Sequence, residues 1–178
     1  MGTMLRLSPF QEDAFSQKTD LKCLVAFNHQ IHLEFLCLSP HLNEIKYSPL
    51  SQNPSFTKEL WKTTCFEFFL GTQNSTEYWE WNFSLSGNWA CYHFNNYRSG
   101  QSDLTKLDPK GFDLQIKSDR MHLQLSLPIP QTNQSNFIFS PTAVIETKSG
   151  SIGFWAVQHK DSHPNFHVKE SFIKWENQ

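Results

Sequence analysis

Apolar and polar residues alternate in short runs along this chain, with the period of two that marks half-buried strands and not the 3.6-residue period of helices. Residues 21–28 (LKCLVAFN) turn at Asn28–Gln30 into residues 30–38 (QIHLEFLCL), where Ile31, Leu33, Phe35 and Cys37 alternate with His32, Glu34 and Leu36. That pattern predicts an antiparallel hairpin with one buried face. Further strands are predicted at 65–70 (CFEFFL), 78–84 (YWEWNFS) and 89–95 (WACYHFN). Residues 112–118 and 120–127 are expected to pair around Asp119, and 141–148 with 151–158 through a tight turn at Ser149-Gly150. The segment 39–60, rich in Ser, Pro, Asn and Gln, reads mainly as loop with a strand-like piece at 42–47, and 171–175 is a short apolar return. The sum is nine or ten strands and no long helix, hence an all-β, antiparallel β-sandwich in a single domain spanning 1–178.

The stretch from Tyr78 to Asn95 carries the most information. If Leu85-Ser86-Gly87-Asn88 makes the connection, Ser84 faces Trp89, Asn82 faces Cys91, Glu80 faces His93 and Tyr78 faces Asn95. One face then gathers Tyr78, Glu80, Asn82, Ser84, Trp89 and His93, and the other Trp79, Trp81, Phe83, Ala90, Tyr92 and Phe94. Either the aromatic slab is core and the polar face is solvated, or the polar face is concave and holds a ligand. Carboxylate, amide and aromatic groups together suit a sugar: forked hydrogen bonds satisfy vicinal hydroxyls, and flat rings cover its apolar face. A one-residue bulge would exchange the two faces.

Composition narrows the choice. Of 178 residues, 15% are aromatic, including 16 Phe and 6 Trp, so rings must fill a core or form a sticky surface. The formal charge is −2 with no clustered basic footprint, which argues against nucleic acid as a partner. No apolar run is long enough to span a membrane, and the N-terminus turns acidic before any apolar stretch; a cytoplasmic location is expected. Cys23, Cys37, Cys65 and Cys91 are widely spaced in apolar contexts and read as small buried hydrophobes. The motifs G-x-S-x-G and G-x-x-x-x-G-K are both absent, so neither a nucleophile elbow nor a phosphate loop is indicated.

The string Leu60-Trp61-Lys62-Thr63-Thr64-Cys65-Phe66-Glu67-Phe68-Phe69, the run Tyr78 to Trp89, the group Tyr92, Phe94, Tyr97, Arg98, and the closing Trp155-Ala156-Val157…His159…Pro164…Phe166-His167 occur in that order. Together they resemble the bacterial DOMON-like proteins, relatives of the family-nine carbohydrate-binding modules, over about half of the chain. The resemblance implies a sandwich of two antiparallel sheets whose relatives bind sugars or haem. It also implies a ligand-binding role for Glu67, Tyr78, Glu80, Asn82, Trp89, Tyr92, Arg98, His159, Phe166 and His167. Two departures stand out: Asn165 where the motif usually has Asp, and Leu85 where it often has Pro.

Each candidate has alternatives. Glu67 and Glu80 fall on neighbouring predicted strands and could hydrogen-bond a ligand, act as a glycosidase acid and nucleophile about 5 Å apart, or pair with Arg98. Trp61 and Trp89 suit stacking platforms or core. His159, His163 and His167 recur every four residues as metal ligands on a helix would, but Pro164 breaks that geometry, and bonds to backbone across a loop are the alternative. Haem ligation by His with Met4 or Met121 has only the resemblance behind it. The reading is therefore a non-catalytic domain for a saccharide or similar small molecule, with no cofactor and no metal. A haem or metal module in electron transfer, or a glycan-active enzyme, stands as the alternative.

Overall fold

A computed structural model describes residues 2–132 and 136–175. Its strands are β1 (Thr3–Pro9), β2 (Asp20–Phe27), β3 (Gln30–Leu38), β4 (Cys65–Thr72), β5 (Tyr78–Ser84), β6 (Trp89–Phe94), β7 (Ser102–Asp103), β8 (Lys110–Ile116), β9 (Arg120–Pro128), β10 (Phe137–Glu146), β11 (Ile152–Ala156) and β12 (Ile173–Lys174). All of their pairings are antiparallel. One sheet runs β1-β2-β3-β9-β8 and the other β7-β6-β5-β4-β10-β11; β1 joins them by pairing Ser8 and Pro9 with β11. Helical structure among the described residues is limited to single 3-10 turns. The antiparallel β-sandwich expected from the sequence is thus the observed fold.

The twelve strands among the described residues exceed the nine or ten expected because β1 and the two-residue β7 were not anticipated. The strand-like piece at 42–47 is instead a 3-10 turn at Leu42–Glu44 followed by a single bridge from Ile45 to Thr147. The hairpins β2–β3, β8–β9 and β10–β11 form where the alternation placed them.

The core lies between the sheets. Alternate residues of β2, β3 and β9 (Cys23, Val25, Leu33, Phe35, Leu123, Leu125) meet Phe66, Phe68, Trp81, Phe83 and Phe139 from the other sheet. The Phe35 and Phe66 rings approach to 4.8 Å between centroids. Burying each such ring stabilises the fold by roughly 1.5–3 kcal/mol. The β4-containing sheet is covered on its second face as well, which is why CFEFFL is apolar at every position but Glu67. There Phe69, Tyr78, Phe94, Phe166 and Phe172 form a second cluster, roofed by the segments preceding β4 and following β11.

The β5–β6 hairpin corrects the sequence reading by one residue. Its loop has three residues, Leu85-Ser86-Gly87, not four: the Ser84 N–H donates to Asn88 O at 2.9 Å and the Gly87 N–H to Ser84 O at 3.0 Å. Gly87 has φ 86°, the left-handed conformation that closes a three-residue hairpin loop at little cost only for glycine. The register is therefore Glu80 opposite Tyr92 and Tyr78 opposite Phe94. A one-residue shift turns every β6 side chain over. Trp89, Cys91 and His93 share a face with Trp79, Trp81 and Phe83, whereas Ala90, Tyr92 and Phe94 join Tyr78, Glu80, Asn82 and Ser84.

Candidate functional site

Strand pairing gathers polar groups on the outer face of the β4-containing sheet. Glu67 of β4 lies opposite Asn82 of β5, and Phe69 opposite Glu80, so the two glutamates are diagonal neighbours. Above them opens a cavity of about 360 Å³. The sheet contributes Glu67, Phe69, Glu80, Tyr92 and Phe94 to its lining, and the covering segments contribute Trp61, Arg98, Gln101, Phe166 and His167. Trp61, on a 3-10 turn at Leu60–Lys62, is 48% exposed, whereas Glu67 and Glu80 are only 2% and 4% exposed.

A hydrogen-bond network ties this floor together. Glu67 accepts from the Thr142 hydroxyl at 2.9 Å and from the Cys65 thiol at 3.5 Å. Glu80 Oε1 accepts from Asn82 Nδ2 at 2.7 Å. The Tyr78 hydroxyl accepts the Arg98 N–H at 3.1 Å and lies 2.8 Å from His167 Nδ1. His167 Nε2, on the other side of the ring, lies 3.7 Å from Glu80 Oε2.

The electrostatics follow from burial. Desolvation raises the Glu67 carboxyl well above the usual carboxylate range; the Glu80 charge raises it further, against the Thr142 and Cys65 hydrogen bonds. Glu80 is also raised by desolvation, partly offset by the Asn82 bond and by the Arg98 charge. Burial, assisted by Arg98, lowers His167 to about 3, so its imidazole is neutral. Burial pushes Tyr78 up to about 12. Two close buried carboxyls resist simultaneous ionisation, so the pair retains a proton near neutral pH.

Arg98 has a left-handed backbone (φ 49°) in the loop after β6, where its N–H meets Tyr78. Its guanidinium donates to Asn165 Oδ1 at 3.1 Å. Asn165 also accepts the His167 N–H at 3.2 Å and donates from Nδ2 to Tyr97 Oη and to Asp161 Oδ2, both at 2.8 Å. An aspartate could not supply those two donations, which gives the departure at 165 a physical basis. The amide knits the Arg98 loop to the segment bearing His167.

Of the residues singled out from the sequence, Glu67, Glu80, Tyr92, Arg98, Phe166 and His167 come together around the cavity. Tyr78 and Asn82 lie behind it, fully buried: Tyr78 stacks on Phe94 at 4.8 Å and Asn82 braces Glu80. Trp89 does not join them. The register shift buries it in the core cluster, edge-on to Phe56 at 5.4 Å. His159 is also elsewhere, with Nε2 2.9 Å from the Ser8 carbonyl and its ring edge-on to Phe10.

The three spaced histidines diverge, His163 lying exposed beside Asp161 and Ser162, and among the described residues no group of three His, Cys, Asp or Glu is arranged to hold a metal ion. Met4 is exposed on β1 and Met121 sits in the core between the sheets; neither lines the cavity. The Arg98–glutamate pairing that stood among the alternatives does not form; the guanidinium bonds Asn165 instead. Phe69, Gln101, Val144 and Phe154 also line the cavity without having been anticipated. All four cysteines are buried and unpaired.

No family model matches the chain, and no curated protein matches it in sequence. Among solved structures, a candidate carbohydrate-binding protein from Bacteroides uniformis aligns with a TM-score of 0.64 at 10% identity, over 96% of this chain and 85% of that one. A family 9 carbohydrate-binding module from Caldicellulosiruptor kristjanssonii, in complex with glucose, aligns with a TM-score of 0.46 at 11% identity, over 87% of this chain and 73% of that one. The first likeness establishes a shared β-sandwich fold.

Proposed function

We propose that this chain is a non-catalytic saccharide-binding β-sandwich whose ligand occupies the cavity on the outer face of the β4-containing sheet. The observation that carries this reading is the combination at one opening: two buried carboxyls, a guanidinium and an amide beside Phe69, Tyr92 and Phe94, with the half-exposed ring of Trp61. Hydrogen bonds to hydroxyls need the first set, and the apolar face of a sugar ring needs the second. A volume of about 360 Å³ stands near the low end of small-molecule sites (roughly 300–1,000 Å³), which favours a mono- or disaccharide. The fold shared with the Bacteroides uniformis protein supports the reading.

The raised carboxyls would also serve acid chemistry, and for that reason a glycosidase is the second reading. Binding is preferred because both Glu67 oxygens are engaged on the floor by Thr142 and Cys65, which ties that carboxyl to the scaffold. Calorimetric titration with a panel of neutral and amino monosaccharides and β-linked disaccharides is expected to show one saturable site per chain, with no sugar released from the disaccharides on prolonged incubation. Absence of saturable heat across the panel overturns the proposal, and turnover lost in Glu80→Gln would favour the second reading.

A further inference from the structure

The floor of the cavity has an unusual charge balance. Among the described residues no Lys or Arg nitrogen lies within 4 Å of either Glu67 or Glu80. The one ion-pair contact is to His167, whose imidazole is neutral. Among the described residues Glu80 Oε2 receives no hydrogen bond; His167 Nε2 stands off at 3.7 Å, while the side chain is more than nine-tenths buried and lines the cavity. Arg98 does not fill the vacancy, because its guanidinium is turned to Asn165 and the residue is exposed. Rings of Phe69, Tyr92, Phe94 and Phe166 line the same space, and an aromatic ring attracts a cation that sits over its face.

Buried acids are retained when something pairs with them. A neutral sugar hydroxyl would hydrogen-bond Glu80 but would leave the doubled acid unexplained. A cation explains both the acids and the rings. Resting on the saccharide reading, we infer that the preferred ligand is an amino sugar, whose ammonium is seated against Glu80 and Glu67 within the aromatic lining.

Pairing moves a proton. When the ammonium arrives, the raised carboxyls ionise against it, and one proton per site is released to solvent: the protonated carboxyl and the ammonium become a carboxylate–ammonium pair plus a free proton. The other titratable or charged groups around this pair are Cys65 of β4, Tyr78 of β5, Tyr92 of β6, and Arg98 and His167 of the covering segments. Among them His167 is neutral, and the thiol and phenols are raised further from neutrality, so near pH 7 the proton comes from the glutamates.

The test is calorimetric titration of the full chain at pH 7 with glucose, glucosamine and N-acetylglucosamine, in two buffers of different ionisation enthalpy. Glucosamine is expected to bind at least ~10-fold more tightly than glucose, with release of about one proton. The acetylated sugar, which has lost its charge, should show neither effect. Glu80→Gln, checked for native circular dichroism, should remove the ~10-fold preference; the buffer dependence of the unaltered protein gives an independent readout should that variant misfold. Glucose binding as tightly as glucosamine overturns the inference and leaves the saccharide reading standing. No binding of any of the three overturns the inference, and the saccharide reading falls with it only if the disaccharides of the wider panel are silent too.

Discussion

Replacing Glu67 by glutamine offers a direct probe of the buried acid pair. The change is nearly isosteric, and the Thr142 hydroxyl that contacts Glu67 at 2.9 Å can accept as well as donate, so the site keeps its packing and a hydrogen bond. The folded-state pKa of Glu67 is raised from 4.5 to about 8, so the folded protein holds a proton that the unfolded chain has lost throughout that window. Its contribution to stability is therefore full below pH 4.5, is lost as pH rises toward 8, and is flat beyond. At about 1.4 kcal/mol per pKa unit, the ceiling on that loss is roughly 5 kcal/mol. Water entering the open cavity screens the charge, and ~2–3 kcal/mol is the working expectation. For a chain of this size that corresponds to roughly 4–12 °C in Tm. Thermal unfolding followed by circular dichroism at pH 5 and pH 9 measures it. The unaltered protein should lose at least that amount of Tm between the two, and Glu67→Gln should lose less, because only Glu80 is then left to ionise, becoming the more stable of the pair at pH 9. Equal falls in both proteins would refute the assignment of a costly buried charge to Glu67.

Three further substitutions separate the site from its scaffold. Trp61→Ala should weaken sugar binding by roughly 2- to 13-fold in calorimetry, for a stacking contribution of ~0.5–1.5 kcal/mol, while Tm stays within about 2 °C because the ring is 48% exposed. Trp89→Ala should do the opposite, with a loss of ~3–5 kcal/mol in urea unfolding and unchanged sugar affinity, since its ring belongs to the core cluster; selective loss of affinity would contradict the three-residue loop. Tyr78→Phe strands the Arg98 N–H and His167 Nδ1, and should cost ~1–3 kcal/mol in urea unfolding together with a fall in affinity.

The fold was legible where one face of a strand is wet. In β3 and β9, alternation states both the strand and its buried side, and their register follows. The sandwich pattern was therefore readable, as was the hairpin at Ser149-Gly150. Strands β4 and β5 are buried on both faces, so their composition marks them as strands without saying which residues look where. The orientation of β6 hung on loop length, and both three- and four-residue connections suit the segment Leu85 to Asn88; the positive φ of Gly87 decides between them, and it sends Trp89 to the core and Tyr92 to the cavity. Glu67 and Glu80 were legible because carboxylates within aromatic runs stand out. His167 and Phe166 were placed by resemblance, since a loop around Pro164 carries no period. Gln101 and Phe154 reach the cavity through long-range assembly and leave no local signal.

The most direct measurement of the central claim is a crystal structure of the protein grown with glucosamine. A sugar ring is expected within the cavity, its amino group within hydrogen-bond distance of Glu80 Oε2 and a ring face against Trp61. A sugar bound instead in the groove beside Tyr47 and Leu50, or an empty cavity at a glucosamine concentration that saturates binding in solution, would contradict it.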